Sequence, residues 1–337
     1  MTTQKPFPIP VNYFSMILGL SGLGLSWRYA THVFHIFPFI GESLLIASGM
    51  IWLLLILAYV YKAWTVPEQV KADLQNLVMC CFLSLIPITT MLMGMTVMPY
   101  SRFVAILLFA VAIPAQLLFS AYRVPGLWRG VHSQKATLPV VYLPAVAANF
   151  VTASSLGLMG YSDWGLIFWG AGVFSWLSLE PAILSRLRDL PEVEAKFRGL
   201  IGIQLAPAFV GCGAYLAVNG GHIDTVAKML MGYGLLQLLY LIRLLPWIAQ
   251  EGFNMSFWGF SFGLASMAGC AVRLYEQTNG EGIGILAIPM LVFSTLAIAG
   301  LVLGTLQLMI KGRFFVRCGN HEDISNRCSR IYWCSDC

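Results

Sequence analysis

Apolar residues run along this chain in ten blocks of roughly 20 or more residues: about 11–31, 40–61, 76–98, 103–122, 138–160, 164–184, 199–218, 226–248, 254–275 and 284–310. Each is long enough to cross a hydrocarbon core of ~30 Å, and only a helix satisfies its own backbone there. Every second block carries a backbone-breaking residue near its middle: Pro87 in LIPITT, Pro144 in YLPAVAANF, Pro207 in QLAPAFVG and Gly263 in FSFGLASM. These lie 57, 63 and 56 residues apart, and a glycine-rich block around Gly19 to Gly24 lies one similar step upstream. The pattern predicts an all-α integral membrane protein of ten transmembrane helices, built as five parallel-repeat hairpins around a central pore. A proline inside such a helix removes a donor and frees the carbonyl four residues earlier, here Leu83, Val140 and Ile203. Hydrocarbon cannot satisfy those carbonyls, so the kinked spans are expected to face a protein-lined interior.

Composition agrees with this reading. Of 337 residues, 58% are apolar and 10% charged, against about 25% charged in soluble domains. Sixteen of the 20 lysines and arginines fall on one set of inter-span segments and the termini, while Arg28, Arg102, Lys228 and Arg273 fall on the other. The positive-inside rule then places both termini in the cytoplasm. The net charge of +5 is mostly this topology signal, and no basic and aromatic patch points to nucleic acid. MTTQKPFPIP lacks the pattern of a cleavable signal, so the first span is expected to be retained.

Two regions follow: a ten-helix membrane domain over 1–316 and a cysteine-rich cytoplasmic tail over 317–337, expected to be disordered. The tail holds Cys318, Cys328, Cys334, Cys337 and His321 without a second well-spaced ligand pair, so no metal and no cofactor is expected. No HExxH or paired Asp motif supports an enzyme.

The odd-numbered spans carry Ser15, Ser21, Thr89, Thr90, Asn149, Thr152, Ser154, Ser155, Gln204, Ser261 and Ser266, but no Asp, Glu, Lys or His in their middles. Arg28 and Arg273 lie near their outer ends. A neutral, hydroxyl-lined path with a basic mouth suits weak binding and conduction of small inorganic anions, while a proton-driven pump would show ionisable residues. Half-helix N-termini at the breaks would add a positive dipole end. The competing reading is that these hydroxyls pack helices together. Phe14, Phe150, Phe209 and Phe262 recur on the same spans, where a phenylalanine can close a pore by excluding water. Candidate pore-lining or helix-break positions are therefore Phe14, Gly19, Pro87, Pro144, Phe150, Pro207, Phe209 and Gly263. Glu180, followed by Pro181, is the one buried-looking acid, and capping or interface pairing is its ordinary role.

KPFPIPVNYFSMILGL, LIPITTML, YLPAVAANFVTASS, GAGVFSWLSLEP, QLAPAF, DTVAKMLMGYGLLQLLYLIRLLPW and FWGFSFGLASMA resemble a known membrane family from about Lys5 to Phe315. That family comprises bacterial tellurite-resistance proteins, the slow anion channel of plant guard cells, yeast-type sulfite exporters and the C4-dicarboxylate and malate carriers. The resemblance implies five hairpins with the odd helices forming a pore, and a homotrimer with one pore per subunit. It also implies a phenylalanine gate beside the break in the ninth helix, which is Phe262 here, with Phe260 the second candidate. The expected function is a passive inner-membrane anion channel associated with tellurite resistance. The alternative is a carrier or exporter of small oxyanions (tellurite, sulfite) or C4-dicarboxylates.

Overall fold

The structure, a computed structural model, describes residues 7–129, 134–189 and 191–315, so the cysteine-rich tail expected over 317–337 lies outside the described residues. The long segments are α1 (Ser15–Phe34), α2 (Phe39–Thr65), α3 (Met79–Val97), α4 (Arg102–Gly126), α5 (Pro139–Leu158), α6 (Ser162–Asp189), α7 (Ala195–Val218), α8 (Thr225–Ile248), α9 (Met255–Thr278) and α10 (Gly282–Ile310). Among the described residues there is no strand, and nine segments, α2 to α10, are long and apolar enough to cross a membrane. The first expected span forms a 20-residue helix, but Trp27, Arg28, Tyr29 and His32 in its second half lower its hydropathy. A short helix, Pro67–Gln75, occupies what the sequence presented as a polar connection, started by a proline in its first turn.

Caps mark several span starts. Ser101 accepts from the Val104 amide at 3.3 Å ahead of α4, and Asp224 from the Ala227 amide at 3.0 Å ahead of α8. Asn254 accepts from the Ser256 amide at 2.9 Å ahead of α9. Gly160, at φ +88°, turns the chain out of α5 in the left-handed conformation that glycine adopts freely.

The odd-numbered segments form a closed inner ring: α1 packs on α3, α3 on α5, α5 on α7, α7 on α9, and α9 back on α1. Each also packs on the even segment that follows it. Burial separates the two layers. The most apolar stretches of α3, α5, α7 and α9 are 72% to 83% buried, against 17% to 33% for α2, α4, α6, α8 and α10. Exposed side chains such as Ile46, Leu54, Leu118, Phe174 and Leu296 form an outer apolar belt that water would not tolerate and lipid accepts.

Small residues set the spacing within the ring. A Cβ at Gly19 would lie 2.5 Å from that of Ser261, and one at Gly157 would lie 2.4 Å from the Ala217 carbonyl oxygen, so α1–α9 and α5–α7 approach almost backbone to backbone. Indole donors tie the two layers together: Trp258 Nε1 donates to Thr305 Oγ1 at 2.8 Å and Trp169 Nε1 to the Gly211 carbonyl at 2.8 Å. Cys80, Cys81, Cys212 and Cys270 are free and buried, the role of small apolar fillers.

Gly157→Ala should therefore destabilise the protein by about 1–3 kcal/mol through overpacking against a backbone carbonyl. Gly232→Ala, exposed on α8 with nothing within 4 Å of the new Cβ, should be neutral or stabilising by up to about 1 kcal/mol. Thermal aggregation midpoints of the detergent-purified variants check the contrast, and equal shifts for the two would refute the packing argument.

Candidate functional site

Four of the five inner segments change helix type, and the fifth, α3, is interrupted. Val11–Phe14 is a 3-10 turn leading into Ser15 of α1. In α3 the helix Met79–Leu83 is interrupted at Ser84 and resumes over Leu85–Val97. In α5 a π stretch, Leu143–Ala147, precedes the α-helix Ala148–Leu158. Eleven 3-10 residues, Ala195–Leu205, precede Ala206–Val218 in α7, and six, Met255–Phe260, precede Ser261–Thr278 in α9. The shorter piece comes first in every case, and as every second span of the chain the five run in the same direction.

The transitions meet at one level, where the ring encloses a cavity of about 30 Å³. Its lining comes from the inner segments alone: Ser15 and Leu18; Phe82 and Leu85; Tyr142, Leu143, Val146, Ala147 and Phe150; Ile203, Ala206, Pro207 and Val210; Trp258, Gly259 and Phe262. A space of that size holds about two waters at most, and no hydrated anion.

Of the residues singled out from the sequence, Phe150, Pro207 and Phe262 line this cavity. Phe262 is the second residue of the α half of α9, and its side chain is 6% exposed. Phe150 is wedged toward Gly172 of α6 and Gly211 of α7, where added Cβ atoms would lie 2.7 and 3.0 Å from its ring. Phe14 is buried at the start of α1, beside the lining and not part of it. Phe209 points away: its ring fills the space over Gly234 of α8, 2.7 Å from a Cβ built there. Phe260 covers Gly202, 2.3 Å from a Cβ built there, and is likewise outside the lining. Gly263 allows close contact with Leu205 of α7.

The helix breaks differ in mechanism from the expectation. Pro87 and Pro207 lie in the first turn of the α halves, and Pro144 opens the π stretch, so no interior helical bond is lost. The Ile203 carbonyl, expected to be free, accepts from the Ala206 amide, and the Val140 carbonyl from the Tyr142 amide. Gly19 marks no break; the transition in α1 lies at Ser15.

The hydroxyl-lined path is also revised. Thr89, Thr90, Thr152, Ser154 and Ser155 donate to carbonyls four residues earlier in their own helices, at 2.7 to 3.1 Å. Ser15 alone brings an aliphatic hydroxyl to the cavity, and it donates to the Asn12 carbonyl at 2.6 Å. In an apolar interior the nearest backbone acceptor captures such donors. At the proposed outer mouth, Arg28 is committed to Glu42 at 2.6 and 2.8 Å, and Arg273 stacks over the Tyr29 ring at 4.1 Å. Tyr100, in the connection between α3 and α4, donates to the same Glu42, and that carboxylate holds its hydroxyl above the usual phenol range.

Polar chemistry lies behind the wall. Tyr142 lines the cavity with its ring while its hydroxyl donates to Glu180 of α6. Glu180 also accepts from Trp176 Nε1 at 2.8 Å and from the Tyr233 hydroxyl of α8 at 3.1 Å. In the sequence Tyr142, Phe82, Leu85 and Trp258 carry no signal other than nearness to a transition.

Residues 8–306 of the chain match the model of the voltage-dependent anion channel family, SLAC1. The chain belongs to this family. It is 46% identical over 318 residues to the tellurite resistance protein TehA homolog of Haemophilus influenzae, covering 94% of this chain and 96% of that one. It is 23% identical over 297 residues to the S-type anion channel SLAH4 of Arabidopsis thaliana, covering 85% of this chain and 79% of that one. The chain is thus a multi-pass membrane protein of an anion-transport family.

Because Pro207 lies in the first turn of a helix, Pro207→Ala should change stability by no more than about 1 kcal/mol. A loss of several kcal/mol in chemical denaturation would mean that the proline holds the transition open by itself.

Proposed function

We propose that the protein is an anion channel of the bacterial inner membrane, with its path along the axis of the inner ring. Phe262 closes that path, and the protein assembles as a homotrimer with one path per subunit. The observation that carries the reading is the cavity where the five inner segments break or change helix type, with Phe262 in its wall. A narrow apolar constriction excludes water, and an anion cannot shed its hydration to enter a dry space, so conduction stops without any steric plug. The parallel half-helices present their N-terminal ends toward this level, a weakly favourable field for an anion once the space is wet. The tellurite association is carried over from the name of the Haemophilus relative, and the trimer and the cytoplasmic termini from the sequence reading.

Phe262→Ala tests the gate. A phenylalanine that only packs would cost about 3–5 kcal/mol on truncation and give no current. The gate predicts a well-assembled protein with greatly raised anion conductance in planar bilayers and a reversal potential that follows the anion gradient. Assembled Phe262→Ala protein conducting no more than wild type would end the assignment. Flux that needs a proton gradient and carries no current would favour the oxyanion or dicarboxylate carrier instead. Orientation has its own test: a reporter active only in the periplasm, fused after Phe315, should be silent.

A further inference from the structure

Glu180 is a mid-span carboxylate with an unusual position. It lies on α6, outside the inner ring, yet the tyrosine whose ring forms part of the cavity wall donates its hydroxyl to it. Both of its oxygens face donors: Oε2 accepts from Tyr142 and from Trp176 Nε1 at 2.8 Å, and Oε1 from Tyr233 at 3.1 Å. The Tyr233 oxygen in turn accepts from Gln237 Nε2 at 2.6 Å, which leaves its own proton for Glu180. An indole N–H can only donate, and each phenol hydroxyl is placed to donate, so the carboxyl oxygens meet three hydrogen-bond donors. None of the ion pairs among the described residues involves Glu180. The groups facing it are Tyr142 from α5, Trp176 from its own helix, and Tyr233 with Gln237 from α8; none is cationic. A negative charge on Glu180 would therefore be met by hydrogen bonds alone, one phenol ring behind the wall of the proposed path.

We propose that Glu180 sets the charge selectivity of the channel: a fixed negative charge beside the constriction that discriminates against divalent anions in favour of monovalent ones. The inference rests on the anion path described above and assigns that path a substrate class. The physics is a ratio. The repulsion between a fixed charge and a passing ion is linear in the ion's charge, so a factor that slows a monovalent anion is squared for a divalent one. Across roughly a phenol's length, at the effective dielectric constant of about 20 that suits protein sites, the factor is on the order of tenfold for one charge and a hundredfold for two. The Tyr142 ring is the insulating element. It keeps the carboxylate close enough to act on an ion, while its committed hydroxyl offers the ion no hydrogen bond. Chloride, nitrate and singly protonated oxyanions would pass in preference to sulfate or fully ionised dicarboxylates.

The experiment uses the full chain in planar bilayers with Phe262→Ala as background, under chloride and sulfate gradients. In Phe262→Ala/Glu180→Gln, chloride conductance should rise by up to about tenfold and sulfate conductance by more, so that the chloride-over-sulfate permeability ratio falls about tenfold. Phe262→Ala/Tyr142→Phe keeps the charge and loses the hydrogen bond, so the ratio should stay at its background value whatever happens to current amplitude. A ratio unchanged by Glu180→Gln, or shifted as far by Tyr142→Phe, would overturn the proposal and leave Glu180 as a structural link between α5, α6 and α8. Where the glutamine variant does not assemble, the Tyr142→Phe/Glu180→Met pair removes charge and partner together and carries the same expected fall in ratio. Absence of anion current in Phe262→Ala itself would overturn the channel reading, and this inference with it.

Discussion

Backbone amides and carbonyls buried in an apolar ring must find partners inside the protein, and the rest of the structure follows from how this chain meets that demand. Five parallel segments break or change helix type around one cavity, and where the change is to a 3-10 stretch its i-to-i+3 bonds keep carbonyls such as Ile203 occupied. A tighter helix has a different pitch and a different angular step per residue. The side chains above and below each transition therefore turn toward the axis together. The cavity lies at that convergence, with Leu143, Ala206 and Phe262 within a few residues of a switch in helix type and Leu85 beside the interruption at Ser84.

The same demand explains why the axis is apolar although the inner segments are rich in hydroxyls. Serines and threonines on a helix have a carbonyl acceptor one turn back, and a dry interior offers nothing better. What remains for the cavity is hydrocarbon and aromatic surface, with the polar groups of the bundle placed behind it. Tyr142 joins these layers by giving its ring to the wall and its hydroxyl to Glu180, and Trp258 does likewise by reaching Thr305 of α10.

Glycine governs how closely the layers approach. Phe150 and Phe209 are wedges that fill the spaces left over Gly172, Gly211 and Gly234, and Gly19 and Gly157 bring neighbouring inner segments into near-backbone contact. The outer segments, mostly Leu, Ile and aromatic residues, hold the ring from behind and present their other faces outward. A tight ring of parallel segments is costly to break at any one point because each contact has no slack.

Membrane character, helix content and the approximate bounds of the spans were legible in the sequence because hydrophobic run length is a one-dimensional signal that the bilayer reads directly. The alternation of broken and unbroken spans was legible too, since proline and glycine announce a change of backbone wherever they occur. Phe262 was marked by the resemblance of its F-S-F-G segment, not by composition. The sequence could not say that the Phe209 ring turns to α8 and the Phe150 ring to Gly172 and Gly211 while Phe262 lines the cavity, because all three are phenylalanines near a transition and their direction depends on the helical phase after it. Nor could it say that Thr89 and Thr152 would bond to their own helices, or that Glu180 would reach Tyr142 across 38 residues of chain. Local chemistry determined which residues could break, pack or carry charge. Only the closing of the ring, which brings distant segments to one level, decided which of them meet.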